Sequence, residues 1–257
     1  MIKAIFFDVD GTLVDPATHR IPQNTLDTLY ALRRKGIGLF VSTGRHSSFM
    51  APVTAQFDFD GYCTVSGQFC RCGDQVVYRN PIPKQGMQEI CAAMEEHGFS
   101  GIFLEGEECW VNCLDEAAEA FLEEFQVARP PVCPLSRALE REVYQVIVML
   151  PPEREGLLLE RAEHLAHTRW HPGFLDAMPP GGGKATGIAA VLDWAGLKPD
   201  EAMAFGDGEN DLSMLSCVGI GVAMGNANQT VKAGADWVTT PVDEDGITAA
   251  VRHFGLL

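Results

Sequence analysis

The first third of the chain alternates apolar runs with segments whose apolar residues recur at helical spacing. Apolar runs at residues 2–7, 37–42 and 62–65 predict buried strands. Between the first two runs, residues 22–35 predict an amphipathic helix that ends at Gly36. An alternation of strand, helix and strand is typical of a parallel sheet that is covered by helices.

The last third of the chain repeats this alternation. Residues 185–195 predict a helix, and residues 202–205 and 219–223 predict strands with a short helix at 212–215 between them. These strands can extend the sheet that the first third begins. We therefore predict an α/β core that is built from the two ends of the chain.

The middle of the chain has a different pattern, in which hairpin-like strands lie between helices. Its predicted elements are helices around residues 87–94, 118–125 and 158–165, a hairpin at 102–104 and 110–112, and strands at 143–150, 168–171 and 174–177. Prolines precede this region, and a run of proline and glycine follows it. We predict a discontinuous core at 1–80 and 180–257, with a separate α+β domain inserted at 81–179.

Length and composition limit the class of protein. The chain has 257 residues, of which 46% are apolar, and this suits a soluble protein with a core domain and a smaller one. It has no apolar run near the roughly 18 residues that span a bilayer, and its first residues lack the basic start of a signal peptide. We therefore expect a cytoplasmic location, no membrane partner, and a monomer or weak homodimer.

The formal net charge of −16 narrows the choice of partner. Such an acidic surface disfavours a nucleic-acid partner, because phosphate backbones are bound by Lys and Arg. An enzyme that acts on small anions would need a local cation in its site, supplied by a metal or by a few basic residues. The eight cysteines do not repeat the paired spacing of a zinc site.

Two groups of acids follow predicted core strands. Asp8 and Asp10 come directly after the first strand, where Gly11 permits a sharp turn, and Asp207 and Asp211 follow the strand at 202–205. Ligand sites of open α/β sheets lie at the carboxyl ends of the strands, and magnesium prefers oxygen ligands. Acidic turns also occur without a metal, so each group alone leaves both interpretations open.

Candidate phosphate-binding groups lie at two further positions. Ser42-Thr43-Gly44-Arg45 ends the second predicted strand, where a hydroxyl, backbone amides and a guanidinium group can bind a phosphate. Lys184 begins a helix after three glycines. A cation is unfavourable at a helix N-terminus, so this placement indicates a nearby anion. A capped turn and a solvated loop lysine are the alternatives.

Taken in order, the motifs D-x-D-G-T, S-T-G-R, Lys and G-D-G-x-N-D resemble the haloacid dehalogenase-like superfamily, and specifically its Cof-type phosphatase branch. Residues 221–227 and Glu244-Asp245-Gly246 are also similar to that branch. The resemblance covers essentially the whole predicted core. It implies a Rossmann-like parallel-sheet core with an inserted α+β cap domain, and a magnesium-dependent phosphatase that acts on small phosphorylated metabolites.

The resemblance also implies catalytic and metal-binding roles for the residues that match. Asp8 is the expected nucleophile, which becomes phosphorylated, and Asp10 is the expected general acid and base. Mg²⁺ is expected at Asp8, at the backbone carbonyl of Asp10 and at Asp207, with Asp211 supporting the metal site.

The phosphoryl group is expected to be bound by Thr43 with Ser42, by Lys184 and by Asn210. These assignments are electrostatically consistent, because a carboxylate that attacks a phosphate dianion needs neighbouring cations, here Mg²⁺ and Lys184. One turn departs from the branch: Ser66-Gly67-Gln68 replaces the usual Asn-Gly-Ala. The family's cap contacts the leaving group, and the cap residues with suitable chemistry, each with a structural alternative, are Glu105, Trp110, Asn112, Arg169, Trp170, His171 and Asp176.

Two other functions stay open. A phosphomutase uses the same aspartyl phosphate but returns the phosphoryl group to a sugar, and a non-catalytic sensor binds a phosphometabolite without turnover. The pair Asp8 and Asp10 argues against a sensor, because binding alone needs neither a nucleophile nor a proton carrier. Sugar phosphates, nucleotides and pyridoxal phosphate are all candidate substrates.

Overall fold

The computed structural model describes residues 1–257, which form thirteen strands and ten α-helices. The strands are β1 (Ala4–Phe7), β2 (Gly38–Ser42), β3 (Gly61–Thr64), β4 (Phe69–Cys72), β5 (Gln75–Arg79), β6 (Gly101–Leu104), β7 (Cys109–Val111), β8 (Gln145–Val148), β9 (Ala166–His171), β10 (Phe174–Met178), β11 (Ala202–Gly206), β12 (Ile220–Ala223) and β13 (Trp237–Val238). The helices are α1 (Gln23–Arg34), α2 (Ala51–Thr54), α3 (Lys84–His97), α4 (Glu116–Glu124), α5 (Ser136–Glu140), α6 (Gly156–Leu159), α7 (Lys184–Ala195), α8 (Leu212–Ser216), α9 (Gln229–Ala233) and α10 (Gly246–His253).

The chain divides into two compact units. The first unit comprises Met1–Arg45, Met50–Arg79 and Gly182–Leu257. It contains an eight-stranded sheet in the order β13-β12-β11-β1-β2-β3-β4-β5. The strands from β13 to β3 in this order are parallel, and β4 and β5 continue the sheet as antiparallel strands.

Both faces of this sheet are buried, which explains why its parallel strands are almost continuously apolar. Along β1, Ile5 and Phe7 face a core cluster that includes α1 and α10. Ala4 and Phe6 face the opposite cluster, which includes α7, α8 and α9. The alternation follows from the strand geometry, because successive side chains point to opposite faces.

The register of the central strands positions the candidate site. Phe7 pairs with Val41 of β2 on one side and with Phe205 of β11 on the other. The residues that follow these three positions therefore leave the sheet at the same edge. Asp8 is one of them, and the two loops that carry the other predicted motifs begin beside it.

The second unit comprises His46–Phe49 and Asn80–Gly181. Its antiparallel sheet has the order β7-β6-β8-β10-β9. Helices α3, α5 and α6 pack on one face of the sheet, and α4 packs on the other. Helix α4 begins at Asp115, whose side chain accepts a hydrogen bond from the backbone N–H of Ala118, as the sequence predicts.

The predicted fold class, a parallel-sheet α/β core together with an α+β unit that has its own antiparallel sheet, is confirmed. One predicted helix is wrong. Residues 158–165 do not form a helix, because α6 ends at Leu159 and the chain turns to enter β9 at Ala166. The antiparallel strands β4 and β5 were not predicted. The functional division into a core at 1–80 and 180–257 and a cap at 81–179 stays a prediction.

No helix in this structure combines the length and the apolar character needed to cross a membrane.

Candidate active site

Asp8 and Lys184 form a buried ion pair at the carboxyl end of β1. The side chain of Lys184 is 1% exposed, and its Nζ donates hydrogen bonds to Asp8 Oδ1 at 2.6 Å and to Asp211 Oδ1 at 2.5 Å. The backbone N–H of Asp8 donates to the carbonyl of Phe205, which continues the pairing of β1 with β11. One ammonium group thus joins acids from two different loops.

Lys184 is the first residue of α7, where the helix dipole disfavours a cation. The two carboxylates offset this unfavourable position. Gly67 fixes the start of the helix, because its φ is +82° and a Cβ there would lie 2.4 Å from the carbonyl oxygen of Gly183. The turn that departs from the family pattern, Ser66-Gly67-Gln68, therefore packs directly against the residues that carry Lys184.

The loop after β11 is organised around Asp211, which is completely buried. Its Oδ2 accepts hydrogen bonds from the backbone N–H groups of Asp207 at 3.0 Å and of Gly208 at 2.9 Å. Asp207 in turn accepts a hydrogen bond from the hydroxyl of Thr12 at 2.8 Å. These bonds fix the direction of the Asp207 carboxylate and join the loop to the loop after β1.

The carboxylates of Asp8, Asp207 and Asp211 lie close together, and their mutual repulsion and burial disfavour their ionised forms. Burial raises the pKa of Asp8 to about 7, although Lys184 opposes the rise. Burial also raises the pKa of Asp207 to about 6, and the nearby Asp211 adds to the effect. Burial alone would lower the pKa of Lys184, but the charges of Asp8 and Asp211 outweigh it and raise that pKa.

The same cluster fits a divalent cation. One ligand atom from each of Asp8, Asp207 and Asp211 lies within 4.8 Å of the others, and a set of carboxylate oxygens suits a hard cation. Gly11 leaves the required space, because a Cβ there would lie 2.2 Å from Asp207 Oδ2. All three carboxylates already accept hydrogen bonds from protein groups, and both Asp207 and Asp211 do so through both of their oxygens, so these contacts do not single out the metal ligands.

The side chain of Asp10 lies outside this cluster and pairs with Arg45. Nε of Arg45 donates to Asp10 Oδ2 at 2.9 Å, and Nη2 donates to Oδ1 at 2.5 Å. The Asp10 side chain is 58% exposed. The sequence suggested a phosphate contact for Arg45, whereas in this structure the guanidinium group binds the expected proton carrier. Metal binding by the backbone carbonyl of Asp10 stays a prediction.

The remaining predicted phosphate ligands differ in burial. Ser42 and Thr43 are buried at the end of β2, and the hydroxyl of Ser42 has no hydrogen-bond partner in the protein. Thr43 Oγ1 accepts a hydrogen bond from the backbone N–H of Arg45 at 3.1 Å. Gly44 and Asn210 are exposed. Their contact with a phosphoryl group stays a prediction.

Thr12 and Asn226, to which the sequence analysis assigned no role, form hydrogen bonds that hold the site residues in place. Thr12 holds Asp207 as described, and it is the last residue of the D-x-D-G-T motif. Nδ2 of Asn226 donates to the carbonyl of Gly11 at 2.9 Å and to Asp207 Oδ2 at 3.2 Å. Asn226 lies in the segment 221–227 that already resembles the family, so the signal for it was present.

Several of the candidate cap residues have structural partners within the second unit. Glu105 accepts hydrogen bonds from Trp110 Nε1 at 2.9 Å and from Arg137 Nε at 2.7 Å. Asn112 bonds the backbone of Gly101 and Phe99 and thereby closes the hairpin β6–β7.

The other candidates lie around the hairpin β9–β10. Arg169 bonds Glu155 and four backbone carbonyls. His171 bonds Glu124 and stacks on Phe174. Oδ2 of Asp176 accepts a hydrogen bond from Trp170 Nε1 at 2.8 Å.

Known proteins place the chain in a family. The family model described as haloacid dehalogenase-like hydrolase matches residues 5–251. A Bacillus subtilis (strain 168) protein named "Putative phosphatase YkrA" is 34% identical over 256 residues, which cover 99% of this chain and 98% of that protein.

Two solved structures are similar over essentially the full length. The sugar phosphatase BT4131, of subclass IIB of the superfamily, is 38% identical, with a TM-score of 0.84 and coverage of 99% of this chain and 100% of the other. A protein from Geobacillus kaustophilus HTA426 is 31% identical, with a TM-score of 0.93 and full coverage (100%) of both chains. The chain therefore belongs to the haloacid dehalogenase-like hydrolase family and is a phosphoric monoester hydrolase of its Cof-type branch.

Proposed function

We propose that this enzyme is a Mg²⁺-dependent phosphatase that hydrolyses small phosphorylated metabolites, sugar phosphates or similar compounds, through an aspartyl phosphate on Asp8. The observation that carries the proposal is the contact of Asp8 with Lys184 inside a cluster of three carboxylates. A carboxylate that must approach a phosphate dianion needs neighbouring cations; Lys184 supplies one, and the three acids need a further cation to stay ionised together.

Asp8 and Asp207, with the backbone carbonyl of Asp10, are the proposed Mg²⁺ ligands. The metal would supply Lewis-acid stabilisation of the charge that develops on the phosphoryl oxygens. Asp211 and Thr12 act through Asp207, because their hydrogen bonds hold its loop and its carboxylate in place. Lys184 keeps Asp8 oriented before substrate binds and can then donate to a phosphoryl oxygen.

In the first half-reaction, a carboxylate oxygen of Asp8 forms a bond to phosphorus while the bond from phosphorus to the ester oxygen breaks. Protonated Asp10 gives its proton to the departing oxygen, which leaves as an alcohol. The ionised Asp10 that results can pair with Arg45 through both oxygens, as it does in this structure.

In the second half-reaction, Asp10 takes a proton from water as the water oxygen attacks phosphorus. The bond between phosphorus and Asp8 breaks, inorganic phosphate leaves, and Asp8 is regenerated as a carboxylate. Asp10 is again protonated and ready for the next cycle. The two half-reactions together consume one water and one phosphate ester.

Sugar phosphates are the proposed substrates for two reasons. The relative BT4131, which is 38% identical, is a sugar phosphatase. A net charge of −16 also favours a substrate with one phosphate and an otherwise uncharged body, because every further anionic group would add repulsion. We further propose that residues 81–179 form the cap that selects the leaving group, while residues 1–80 and 180–257 carry the chemistry.

The proposal is tested by supplying a hexose monophosphate with Mg²⁺ and following both free phosphate and the isomeric hexose phosphate. Steady release of phosphate without isomer is the expected result. Isomer formation that outruns phosphate release and is stimulated by trace hexose bisphosphate would make the enzyme a phosphomutase. Binding of the ester without either product would make it a sensor.

A further inference from the structure

The turn between β3 and β4 has a strained backbone. Its three consecutive residues Val65, Ser66 and Gly67 have φ angles of 51°, 54° and 82°. This left-handed region suits glycine, but it is uncommon for other residues and especially unfavourable for a β-branched residue such as Val65. Strained backbone persists only where the surrounding structure holds it in place, and it is frequent at functional sites.

One side of this turn is bonded to the loop after β2. The backbone N–H of Val65 donates to the carbonyl of Arg45 at 3.0 Å. The N–H of Ser66 donates to the carbonyl of Thr43 at 2.9 Å, and the N–H of Thr43 donates to the carbonyl of Cys63 at 2.9 Å. These bonds continue the pairing of β2 with β3 beyond the sheet. They fix the backbone of the loop that carries Thr43, a predicted phosphate ligand.

The other side of the turn contacts the start of α7. A Cβ on Gly67 would lie 2.4 Å from the carbonyl oxygen of Gly183 and 3.1 Å from Cα of Lys184. A Cβ on Gly187 would lie 3.0 Å from both Cα and the carbonyl oxygen of Gly67. Such short approaches leave no room for a side chain at either glycine, so the backbones of the turn and the helix are in direct contact. The turn therefore contacts both the loop that carries Thr43 and the helix that carries Lys184.

A buried thiol secures the contact between turn and helix. Cys70, on β4, is completely buried, and its S–H donates a hydrogen bond to the carbonyl of Gly67 at 3.6 Å. The same sulfur would lie 2.9 Å from a Cβ on Gly187, so it fills the space where the turn meets the helix. Across the strands Cys70 faces Cys63, whose pKa is raised well above its usual value by a hydrogen bond with Cys70 and by burial. A protonated, buried thiol is a poor nucleophile, so this pair has a packing role rather than a reactive one.

We propose that the turn Val65–Gly67, held by Cys70, is a positioning element that fixes Lys184 relative to Thr43. The inference rests on the proposed function, because both residues are proposed ligands of the phosphoryl group. During transfer that group changes from a tetrahedral to a five-coordinate arrangement, so ligands from separate loops must be spaced for the second shape. Gly67 and Cys70 act through the backbone of their neighbours, and every residue of this element belongs to the first unit.

The kinetic test compares Gly67→Ala with Gly73→Ala. Gly73 lies in the turn between β4 and β5 with a φ of +52°, but no atom lies within 4 Å of a Cβ there. With p-nitrophenyl phosphate and Mg²⁺, Gly67→Ala should lower kcat by about 10- to 100-fold and change KM by less than about threefold, because a displaced Lys184 stabilises the transition state less. Gly73→Ala should leave both values within about twofold of wild type.

The binding test measures dissociation constants by calorimetric titration in the presence of Mg²⁺, and it does not depend on turnover. Orthovanadate mimics five-coordinate phosphorus, whereas inorganic phosphate is tetrahedral. Gly67→Ala should weaken vanadate binding by at least about tenfold and phosphate binding by less than about threefold. A loss of stability alone would not change the ratio of these two constants.

Cys70 provides a milder test that leaves the turn glycine in place. Cys70→Ala removes the hydrogen bond to Gly67, and it should lower kcat and vanadate affinity by about three- to tenfold. Cys70→Ser restores a donor at this position and should recover most of the loss. Cys72→Ala is the matched control, because it removes another buried sulfur from the same strand and the same core cluster.

Two results would overturn the inference in protein that thermal unfolding shows to be folded. One is an unchanged kcat and vanadate affinity in Gly67→Ala and Cys70→Ala. The other is an equal loss of affinity for vanadate and phosphate in these variants. Wild-type protein that hydrolyses no ester, but whose vanadate affinity falls selectively in Gly67→Ala, would contradict the proposed function alone.

Discussion

Arg45 binds both carboxylate oxygens of Asp10, through Nε to Oδ2 at 2.9 Å and through Nη2 to Oδ1 at 2.5 Å. A two-point contact of this kind fixes the plane of the carboxylate as well as its position. Asp10 is otherwise exposed, so the contact is what orients the expected proton carrier. Arg45 therefore acts here on Asp10, and this can be separated experimentally from a direct contact with phosphate.

Arg45→Ala should impair the hydrolysis of alkyl phosphates more than that of p-nitrophenyl phosphate. An alkoxide needs a proton in order to leave, whereas p-nitrophenolate leaves without one. We expect kcat to fall about 10- to 100-fold for a sugar phosphate. For the aryl ester we expect a decrease in kcat that is smaller by a factor of several. Arg252→Ala, a change on α10, is the control. An equal loss for both substrates would show instead that Arg45 binds the phosphoryl group.

Asp8→Asn should abolish turnover, and EDTA should do so reversibly in the wild-type protein. The amide cannot form the acyl phosphate, and removal of the metal exposes the substrate dianion to repulsion from three acids. The measurement is phosphate release from p-nitrophenyl phosphate before and after Mg²⁺ is restored. Asp193→Asn, an exposed position on α7, should retain full activity. Substantial turnover by pure Asp8→Asn protein would exclude the proposed nucleophile.

Lys184→Met should lower both activity and stability. The rate should fall around 10²- to 10³-fold, the usual effect of losing one electrostatic partner of the transition state. The free energy of unfolding should fall by about 3–5 kcal/mol, because Asp8 and Asp211 lose their buried cation. Enzyme assays and urea unfolding measure the two effects. Lys3→Met, which removes an exposed pair with Glu201, should change neither by much. A similarly small effect of Lys184→Met would show that the buried ammonium group is needed neither for catalysis nor for stability.

Gly11→Ala should weaken metal binding, because the new Cβ would lie 2.2 Å from Asp207 Oδ2. Gly36→Ala is a matched control: Gly11 has a φ of +79° and Gly36 a φ of +76°, but no atom lies within 4 Å of a Cβ at Gly36. Both variants should lose about 1–2 kcal/mol of stability through backbone strain. Only Gly11→Ala should weaken Mg²⁺ binding in a calorimetric titration. Equal Mg²⁺ affinity in the two variants would remove Gly11 from the metal site.

Asp176 should give the second unit a measurable pH dependence of stability. Burial raises its pKa from 3.8 to about 6, so the folded protein holds this proton more tightly than the unfolded chain does. Its contribution is fully present below about pH 4 and is lost as the pH rises to about 6, because the unfolded state ionises first. The difference in unfolding free energy between wild type and Asp176→Asn should therefore change by on the order of 2 kcal/mol over this range. A difference that does not vary with pH would show that Asp176 keeps an ordinary pKa.

The sequence predicted the central strands well, because parallel strands that are buried on both faces are apolar throughout. It also predicted where their polar ends meet. Asp8 and Lys184 are 176 positions apart, yet each follows a recognisable signal: a buried strand before Asp8 and a glycine-rich helix start before Lys184. The strand order, with β1 between β2 and β11, explains why the loops after these strands lie beside Asp8, and Lys184 reaches Asp8 from the start of α7.

Other features depend on side-chain geometry that the linear pattern does not contain. The partner of Arg45 could not be predicted, because its side chain can extend toward a phosphate or fold onto Asp10. The edge strand β5 was missed because all five of its residues are exposed or half-buried, so it lacks the apolar signal of the inner strands. The spacing of Leu158, Ala162 and Leu165 indicated a helix. Ala162 and Leu165 do pack against the second unit's core, but they lie in the turn between α6 and β9.

The position of β1 between β2 and β11 has a consequence for the order in which the enzyme is made. Thr12 and Asp207, which bond each other in the finished site, are 195 positions apart in the chain. A ribosome that adds about 5–20 residues per second needs roughly 10–40 s to cover that interval. During this time β1 has β2 as a neighbour but lacks β11, so one edge of the strand that precedes Asp8 is unpaired.

The residues between 80 and 181 emerge within this interval and contain a complete antiparallel sheet with its own apolar cores. They can fold while the first unit is still unfinished. A nascent chain therefore carries Asp8 long before it carries Asp207, so the proposed site can be complete only late in synthesis. Until then the open edge of β1 is a site at which another chain could pair.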